Sequence, residues 1–128
     1  MLPHIRYQLG KPNIDTISFP VLDSIAVFLN KHPNIKIEVD NNIDCRSNWR
    51  KRSDHLSLNR AESIVDYLVK KGIDIKRLMA KGYNDTKPFV LDNGTMLTCD
   101  YIKNLRTKQE QERAHAKNRR VELKIISQ

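Results

Sequence analysis

A strand, a polar loop and a helix occupy residues 35–60, and this segment constrains the fold more than any other part of the chain. Apolar residues at 35, 37 and 39 alternate with charged ones, and this period of two predicts a strand with one apolar face. After the loop, apolar residues recur at helical spacing over 58–69, with Ser57 as the expected N-cap. If the two ends of the loop meet in the folded protein, they form the rim of a cleft.

Two charged residues stand at these ends. Asp44 follows the strand, and Arg60 falls at position N3 of a helix capped by Ser57. A cation there opposes the helix dipole at a cost of roughly a few tenths of a kcal/mol, so Arg60 invites a functional explanation. A carboxylate and a guanidinium at one rim suit a zwitterion such as an amino acid group. An ordinary ion pair that closes the loop explains the same residues, and the spacing does not decide between the two.

Composition narrows the class of protein. The 128 residues suit one domain with one core, and 23 basic against 15 acidic residues give a net charge of +8. Such a charge favours anionic partners: nucleic acid, phosphorylated lipid or a carboxylate-rich polymer. No apolar run is long enough for a membrane span and Met1 opens no signal-peptide pattern, which indicates a cytoplasmic protein or an excised domain.

The sequence offers no recognisable catalytic or metal-binding pattern. Cys45 and Cys99 lack metal-ligand spacing, and they are either two separate thiols or one disulfide, which the sequence leaves open. The four histidines are scattered, and neither a glycine-rich phosphate loop nor a nucleophile motif occurs. We therefore expect no metal, no cofactor and no enzymatic activity.

The remaining patterns predict alternating strands and helices. Strands are expected over 4–9, 78–83 and 120–126. Ser18 is expected to cap a helix that begins at Phe19 and ends at 32–34, and the helix from Ser57 is expected to end near Lys71, before Gly72. Gly82 suggests a bulge or a close backbone approach. The insertion between Pro88 and Asn118 carries two helix caps, Thr98 and the Thr107–Glu110 capping box.

These elements predict an α+β fold: a two-layer α/β sandwich of order β-α-β-α-β-(helical insertion)-β. Both long helices are expected on one face of a mixed sheet, and the opposite face is expected to be polar.

Several short motifs occur in one order along nearly the whole chain. They are Ile37-Glu38-Val39, Ile43-Asp44, Leu56-Ser57-x-x-Arg60-Ala61, Lys71-Gly72-Ile73, Lys81-Gly82-Tyr83 and Asn118-Arg119-Arg120-Val121-Glu122. The ordered set resembles the OmpA-like peptidoglycan-binding domain. The insertion, with Leu97-Thr98-x-x-Tyr101-Ile102, looks like the version in Bacteroidetes-type members of that family.

The resemblance implies a single OmpA-like domain over 1–128, excised from a longer envelope protein. It implies non-covalent binding of the peptidoglycan stem peptide through diaminopimelate, which anchors an outer-membrane protein or complex to the cell wall. Location would be periplasmic, with outer-membrane association through parts outside this chain and other envelope proteins as further partners. By family position, Asp44 holds the ligand's ammonium and Arg60 its carboxylate. The candidates for the pocket wall are Asn42, Ile43, Ser53, Leu56 and Ser57.

The chain departs from the family pattern around the expected pocket. Members usually have Gly-His-Thr-Asp where this chain has Asn-Asn-Ile-Asp at 41–44, and Asn41 is expected to tolerate the left-handed conformation open to the glycine. Ser47 and Ser53 replace a glycine and an asparagine, and the loop is one residue longer. Both charged anchors remain while the pocket wall changes.

Three alternatives stay open. The same fold with an altered pocket would serve as a protein-interaction module. A basic nucleic-acid-binding domain would use Arg46 and the residues Trp49, Arg50, Lys51 and Arg52, although a solvated loop explains this cluster better and no nucleic acid is expected. An enzyme acting on peptidoglycan would need a metal set or an acid–base pair that the sequence does not offer. Arg119 or Arg120 beside Glu122 is expected to form a structural ion pair.

Overall fold

Three β-strands and four α-helices form the described part of the chain in the computed structural model, which covers residues 5–8, 11–46 and 55–128. Short 3-10 helices at Thr16–Ser18 and Ile75–Arg77 precede α1 and β2. None of the described helices, of which α2 is the longest at 15 residues, is long and apolar enough to cross a membrane. In chain order, the elements are α1 (Phe19–Lys31), β1 (Lys36–Asn42), α2 (Leu56–Lys70), β2 (Leu78–Asn84), α3 (Cys99–Lys103), α4 (Lys108–Asn118) and β3 (Arg120–Ser127).

The three strands form one mixed sheet of order β2-β1-β3, with β1 parallel to β2 and antiparallel to β3. Helices α1 and α2 bury their apolar stripes in one core with Ile37 and Val39 of β1, so both pack on the same face. Leu22, Leu29, Ile64 and Leu68 are fully buried in this core, and each such side chain contributes about 1.5–3 kcal/mol. The predicted α+β class and mixed sheet are confirmed.

The long helices end where the sequence predicts. Helix α1 begins at Phe19 with a proline in its first turn, and it ends at Lys31, two residues before Pro33. Helix α2 ends at Lys70, and Gly72 has a φ of 97°, the left-handed conformation that a helix C-terminus favours in glycine.

The strand predicted over 4–9 is wrong for its described residues, because only an isolated bridge joins Tyr7 to Ile14. The backbone bonds of this segment run to the turn before α1: the Asp15 N–H donates to the Arg6 carbonyl at 2.8 Å, and the Arg6 N–H donates to the Ser18 hydroxyl at 2.7 Å. Ser18 therefore holds the N-cap position of α1 without a side-chain capping bond. Ile5 is still buried, so the apolar alternation marked inward-facing side chains but not a strand.

The prediction that Ser57 caps α2 is wrong. The helix begins at Leu56 and its N-cap is His55, which makes no side-chain capping bond. The Ser57 hydroxyl instead donates to Asn84 Oδ1 at 2.7 Å and accepts from the Asn84 N–H at 3.1 Å. The Ser57 hydroxyl therefore bonds to β2 and makes no capping bond within α2. Arg60 is the fifth residue of the helix, beyond the first turn where the helix dipole acts most strongly.

Gly82 lies where α2 comes closest to β2. A Cβ at this position would overlap the backbone nitrogen of Leu58, so the close approach predicted at Gly82 is confirmed. The strand register shifts between Asn41 and Asn42, and the left-handed conformation falls on Asn84, with a φ of 53°. Asn41 lies inside β1 without a positive φ, so the tolerance for a left-handed conformation expected of it is not needed there.

The insertion forms a small second core beside the sheet. Leu97, Ile102 and Ala114 are buried there, and both helices carry the predicted caps, with Thr98 accepting from the Tyr101 N–H and Thr107 from the Glu110 N–H. A disulfide joins Cys45 to Cys99, 54 residues apart. The disulfide decides between the two alternatives for the cysteines and ties the residue after Asp44 to the start of α3.

The face of β1 opposite the helices is polar, as predicted, but its charged residues are buried. Glu38 is 5% exposed and Asp40 4%, beneath side chains from the neighbouring strands. Lys81 and Lys124 approach Glu38 at 3.5 and 3.9 Å, and the Tyr83 hydroxyl donates to it at 3.3 Å. Burial, a hydrogen bond to Glu38 and repulsion from Glu38 raise the pKa of Asp40 to about 6. The hydrogen bond with Asp40 is the main cause that lowers the pKa of Glu38.

Candidate ligand-binding site

A cavity of about 480 Å³ opens at the carboxyl end of β1. It lies between the N-terminal segment, the first turns of α2 and the start of β3. Four arginines and one carboxylate line it, so its charge favours an anionic ligand. The lining residues are Ile5, Arg6, Tyr7, Asp15, Asn41, Asn42, Arg60, Arg119, Arg120 and Val121.

Arg60 reaches the cavity from α2 and is held by the N-terminal segment. Its Nε donates to the carbonyl oxygen of Lys11 at 3.0 Å, and its guanidinium carbon lies 4.7 Å from the centroid of the Tyr7 ring. Such stacking fixes the plane of a guanidinium. The predicted carboxylate-binding residue therefore stands at the cavity wall in a defined orientation.

Tyr7 links this segment to both β1 and α2. Its hydroxyl accepts from the Asn41 side-chain amide at 2.9 Å and donates to the Arg60 carbonyl at 3.3 Å. Burial, the largest influence, raises the pKa of Tyr7, so the phenol stays protonated and remains a hydrogen-bond donor. The only sequence signal for this residue was its place in the alternation at 5–9.

Asp44 is 7% exposed and belongs to a charged network. Its carboxylate accepts from the Arg46 N–H and Nη2, both at 2.9 Å, and from Arg119 Nη1 at 2.8 Å. Both arginines also contact Glu112, at 2.7 and 2.9 Å. Burial alone would raise the pKa of Asp44, but the hydrogen bonds from Arg46 and Arg119 outweigh it and lower the pKa to about 2. Arg119 lines the cavity together with Arg60, whereas Asp44 itself is not among the described lining residues and meets the cavity only through Arg119.

Asn42 lines the same cavity and carries an open hydrogen-bond acceptor. Its side-chain amide donates to the Arg120 carbonyl at 3.4 Å, while its Oδ1 is buried with no hydrogen-bond partner among the described residues. A buried oxygen of this kind needs a donor from a ligand or a water molecule. The structure thus brings the predicted site residue Asn42 to the cavity, with one polar atom that lacks a described partner.

The other predicted wall residues lie in the layer that supports the cavity. Ile43 is buried and its N–H donates to the Asn84 carbonyl at 2.9 Å; Leu56 and Ser57 are buried at the start of α2. None of these three lines the cavity in the described part of the chain. Ser53 lies outside the described residues.

Two basic groups outside the predicted site have clear roles. Arg120 contacts Glu122 at 2.5 Å, which confirms a structural ion pair at this position. Arg46, proposed above as part of a nucleic-acid surface, is bonded to two carboxylates, while Trp49, Arg50, Lys51 and Arg52 lie outside the described residues. Arg119 was missed as a contact of Asp44 because 75 residues separate them and only the motif 118–122 marked it.

The fold is an α+β domain with a charged cavity at the end of its central strand, and comparison with known proteins identifies the family. The OmpA family model matches residues 6–96, so the chain belongs to the OmpA family. The peptidoglycan-associated lipoprotein of Pasteurella multocida (strain Pm70) is 31% identical over 87 residues, which are 68% of this chain. The match spans 57% of that protein, so the chain covers less than two thirds of this relative's length.

Solved structures share the fold over almost the whole chain. The peptidoglycan-associated lipoprotein from Burkholderia pseudomallei superposes with a TM-score of 0.66 at 19% identity, covering 97% of this chain and 88% of that one. The cell wall anchor of the T6SS from Pseudomonas aeruginosa gives a TM-score of 0.66 at 24% identity, covering 95% and 75%. The predicted OmpA-like architecture is therefore confirmed.

Proposed function

We propose that this domain binds peptidoglycan non-covalently through the diaminopimelate of the stem peptide. The observation that carries the proposal is one cationic cavity lined by Arg60, Asn42 and Arg119, the last bonded to the buried Asp44. Membership of the OmpA family supports the same function, since relatives in that family are named as peptidoglycan-associated.

The free end of diaminopimelate is an amino acid group, with one carboxylate and one ammonium. Its carboxylate pairs with Arg60, whose guanidinium is already oriented by Tyr7. Its ammonium takes the place of Arg46 at Asp44, because the Arg46 side chain is 48% exposed and can move into solvent. The Oδ1 of Asn42, buried without a described partner, accepts a further hydrogen bond once the side chain turns towards the ligand.

Modest affinity is sufficient for such a site. A hydrogen bond to a charged group contributes about 1.5–3 kcal/mol, so two or three of them correspond to a dissociation constant of roughly micromolar to millimolar. A cell wall presents many copies of the stem peptide, and a protein with several attachments gains avidity from them. No covalent bond needs to form or break.

The same proposal places the domain in the periplasm, where it anchors an outer-membrane protein or complex to the wall through parts outside this chain. The Cys45–Cys99 disulfide supports this location, because disulfides persist in oxidising compartments such as the bacterial periplasm. Other envelope proteins are the further partners that we expect.

Co-sedimentation with purified cell walls tests the proposal. We expect the wild-type domain to pellet with walls that contain diaminopimelate and to be released by free meso-diaminopimelate. Walls with lysine at this position should retain it weakly, since lysine lacks the carboxylate that Arg60 would bind. The Arg60→Gln and Asp44→Asn variants should lose retention, whereas Arg106→Gln, which changes the charge as Arg60→Gln does but at an exposed residue outside the cavity, should not. Retention that neither site variant reduces would overturn the proposal.

One observation favours a second candidate, a protein-interaction module on the same fold. The Asp44 carboxylate is satisfied by Arg46 and Arg119 without any ligand, so the network also suits a purely structural role. The second candidate predicts that wild-type protein stays in the supernatant and that diaminopimelate has no effect on it.

A further inference from the structure

We infer that Arg6 forms a second carboxylate-binding position in the cavity, for the α-carboxylate of the glutamate residue that precedes diaminopimelate in the stem peptide. This inference rests on the proposed function and deepens it, because it makes the recognised unit a peptide with two free carboxylates and not a single amino acid group.

Arg6 lines the cavity, and its backbone is held in place. Its N–H donates to the Ser18 hydroxyl and its carbonyl accepts from the Asp15 N–H, so both backbone groups are fixed against the start of α1. Arg6 is an exposed residue of the cavity lining, and within the described part of the chain its guanidinium has no carboxylate partner.

Two of the other lining arginines are neutralised by the protein itself. Arg120 is 11% exposed and bonds Glu122, and Arg119 bonds Asp44 and Glu112. Arg6 therefore adds to the cavity a positive charge that forms no ion pair with a described carboxylate. The one acidic lining residue, Asp15, accepts from the N–H of Ile17.

A second carboxylate on the stem peptide would give the guanidinium of Arg6 a partner in the ligand. The amino acid end of diaminopimelate has one carboxylate, which Arg60 accommodates. A volume of about 480 Å³ lies in the range of sites that hold drug-sized molecules, larger than one amino acid group requires. The nearest further anion along the stem peptide is the α-carboxylate of its γ-linked glutamate, and a guanidinium binds it well.

Isothermal titration calorimetry with three ligands tests the inference. The ligands are meso-diaminopimelate, the tripeptide L-Ala-γ-D-Glu-meso-diaminopimelate with the carboxyl at the peptide-linked centre of diaminopimelate amidated, and the same tripeptide with the glutamate α-carboxylate amidated as well. We expect amidation of the glutamate α-carboxylate to weaken wild-type binding about three- to tenfold, the effect of one partly solvated charge-assisted hydrogen bond. Arg6→Gln should weaken binding of the tripeptide with the free glutamate α-carboxylate by a similar factor and should add little to the loss caused by amidation of that group.

The controls separate this inference from the proposed function. Arg6→Gln should affect free diaminopimelate less than twofold, and Arg106→Gln should affect neither ligand. Tripeptide binding that depends on Arg60 but neither on Arg6 nor on the α-carboxylate would overturn the inference and leave the proposed function standing. Wild-type protein that binds none of the three ligands would overturn both. If circular dichroism shows that Arg6→Gln folds poorly, the comparison of the two tripeptides on wild-type protein still tests whether the glutamate α-carboxylate is bound.

Discussion

Asp40 and Asp44 lie four residues apart, on β1 and just beyond it, and both are almost completely buried, yet their pKa values are shifted in opposite directions. Asp44 faces two arginines and has a pKa of about 2, whereas Asp40 faces Glu38 and has a pKa of about 6. Burial acts in the same direction on both carboxyls, so the partners decide the outcome. Asp44, in the arginine network beyond the end of β1, therefore stays ionised over a wide pH range. Asp40, on the sheet face opposite the helices, has a pKa of about 6.

The largest effect should follow from removing the disulfide, which ties the Asp44 loop to the insertion. The double variant Cys45→Ser, Cys99→Ser should lose about 3–4 kcal/mol of unfolding free energy, given the long loop that the bond closes. Urea unfolding measures the loss. Carboxyl NMR titration should show the pKa of Asp44 rising and that of Asp40 unchanged. Equal shifts in both would mean that the two carboxyls do not have separate environments.

Asp44→Asn should have the next largest effect. Without the Asp44 carboxylate, the positive charges of Arg46 and Arg119 repel each other, and Glu112 is their one remaining acidic partner among the described residues. We expect the free energy of unfolding to fall by about 2–3 kcal/mol. Urea unfolding at pH 7 provides the measurement, with the exposed Asp100→Asn as the matched control. A loss no greater than that of the control would contradict the network described here.

The pH dependence of wild-type stability should separate the two residues further. The pKa of Asp44 falls from 3.8 to about 2 on folding, so its contribution is complete above pH 3.8 and is lost as the pH falls towards 2. The pKa of Asp40 rises from 3.8 to about 6 on folding. Its contribution to the free energy of unfolding is therefore complete below pH 3.8 and is lost as the pH rises through 6.

Asp40→Asn tests the second half of this statement and should have the smallest effect. An amide donates to Glu38 as the protonated carboxyl does but does not ionise. We expect the variant to gain about 1 kcal/mol over wild type at pH 8 and nothing at pH 3, below the unfolded-state pKa of 3.8. Chemical denaturation at the two pH values checks this, and a variant that is less stable at pH 8 would contradict the assignment of Asp40.

Local sequence signals predicted those elements whose partners are close along the chain. The caps at Thr98 and Thr107 and the end of α2 at Gly72 all depend on bonds within a few residues. Ser57 failed as a cap because its hydroxyl has a better partner in Asn84, 27 residues away. The residue types at 57–60 do not encode that distant contact.

The site was predictable only in part for the same reason. Asn42 and Arg60 followed from the loop and from the family resemblance, and both line the cavity. The contact of Asp44 with Arg119 depends on how β3 pairs with β1, and the burial of Glu38 and Asp40 depends on the long side chains of neighbouring strands. Hydrophobic periodicity predicts which face of the sheet a side chain occupies, but it does not predict which other side chains cover it. The Bacteroidetes-type affiliation and the roles of the site residues stay predictions.

Titration of uniformly ¹⁵N-labelled protein with meso-diaminopimelate, followed by two-dimensional NMR, tests the central claim most directly. We expect saturable shift changes at residues 41–46, at Arg60 and at Arg119, with a midpoint in the micromolar to millimolar range expected for about two charge-assisted contacts. The absence of saturable changes, or changes that cluster away from the cavity, would contradict the account.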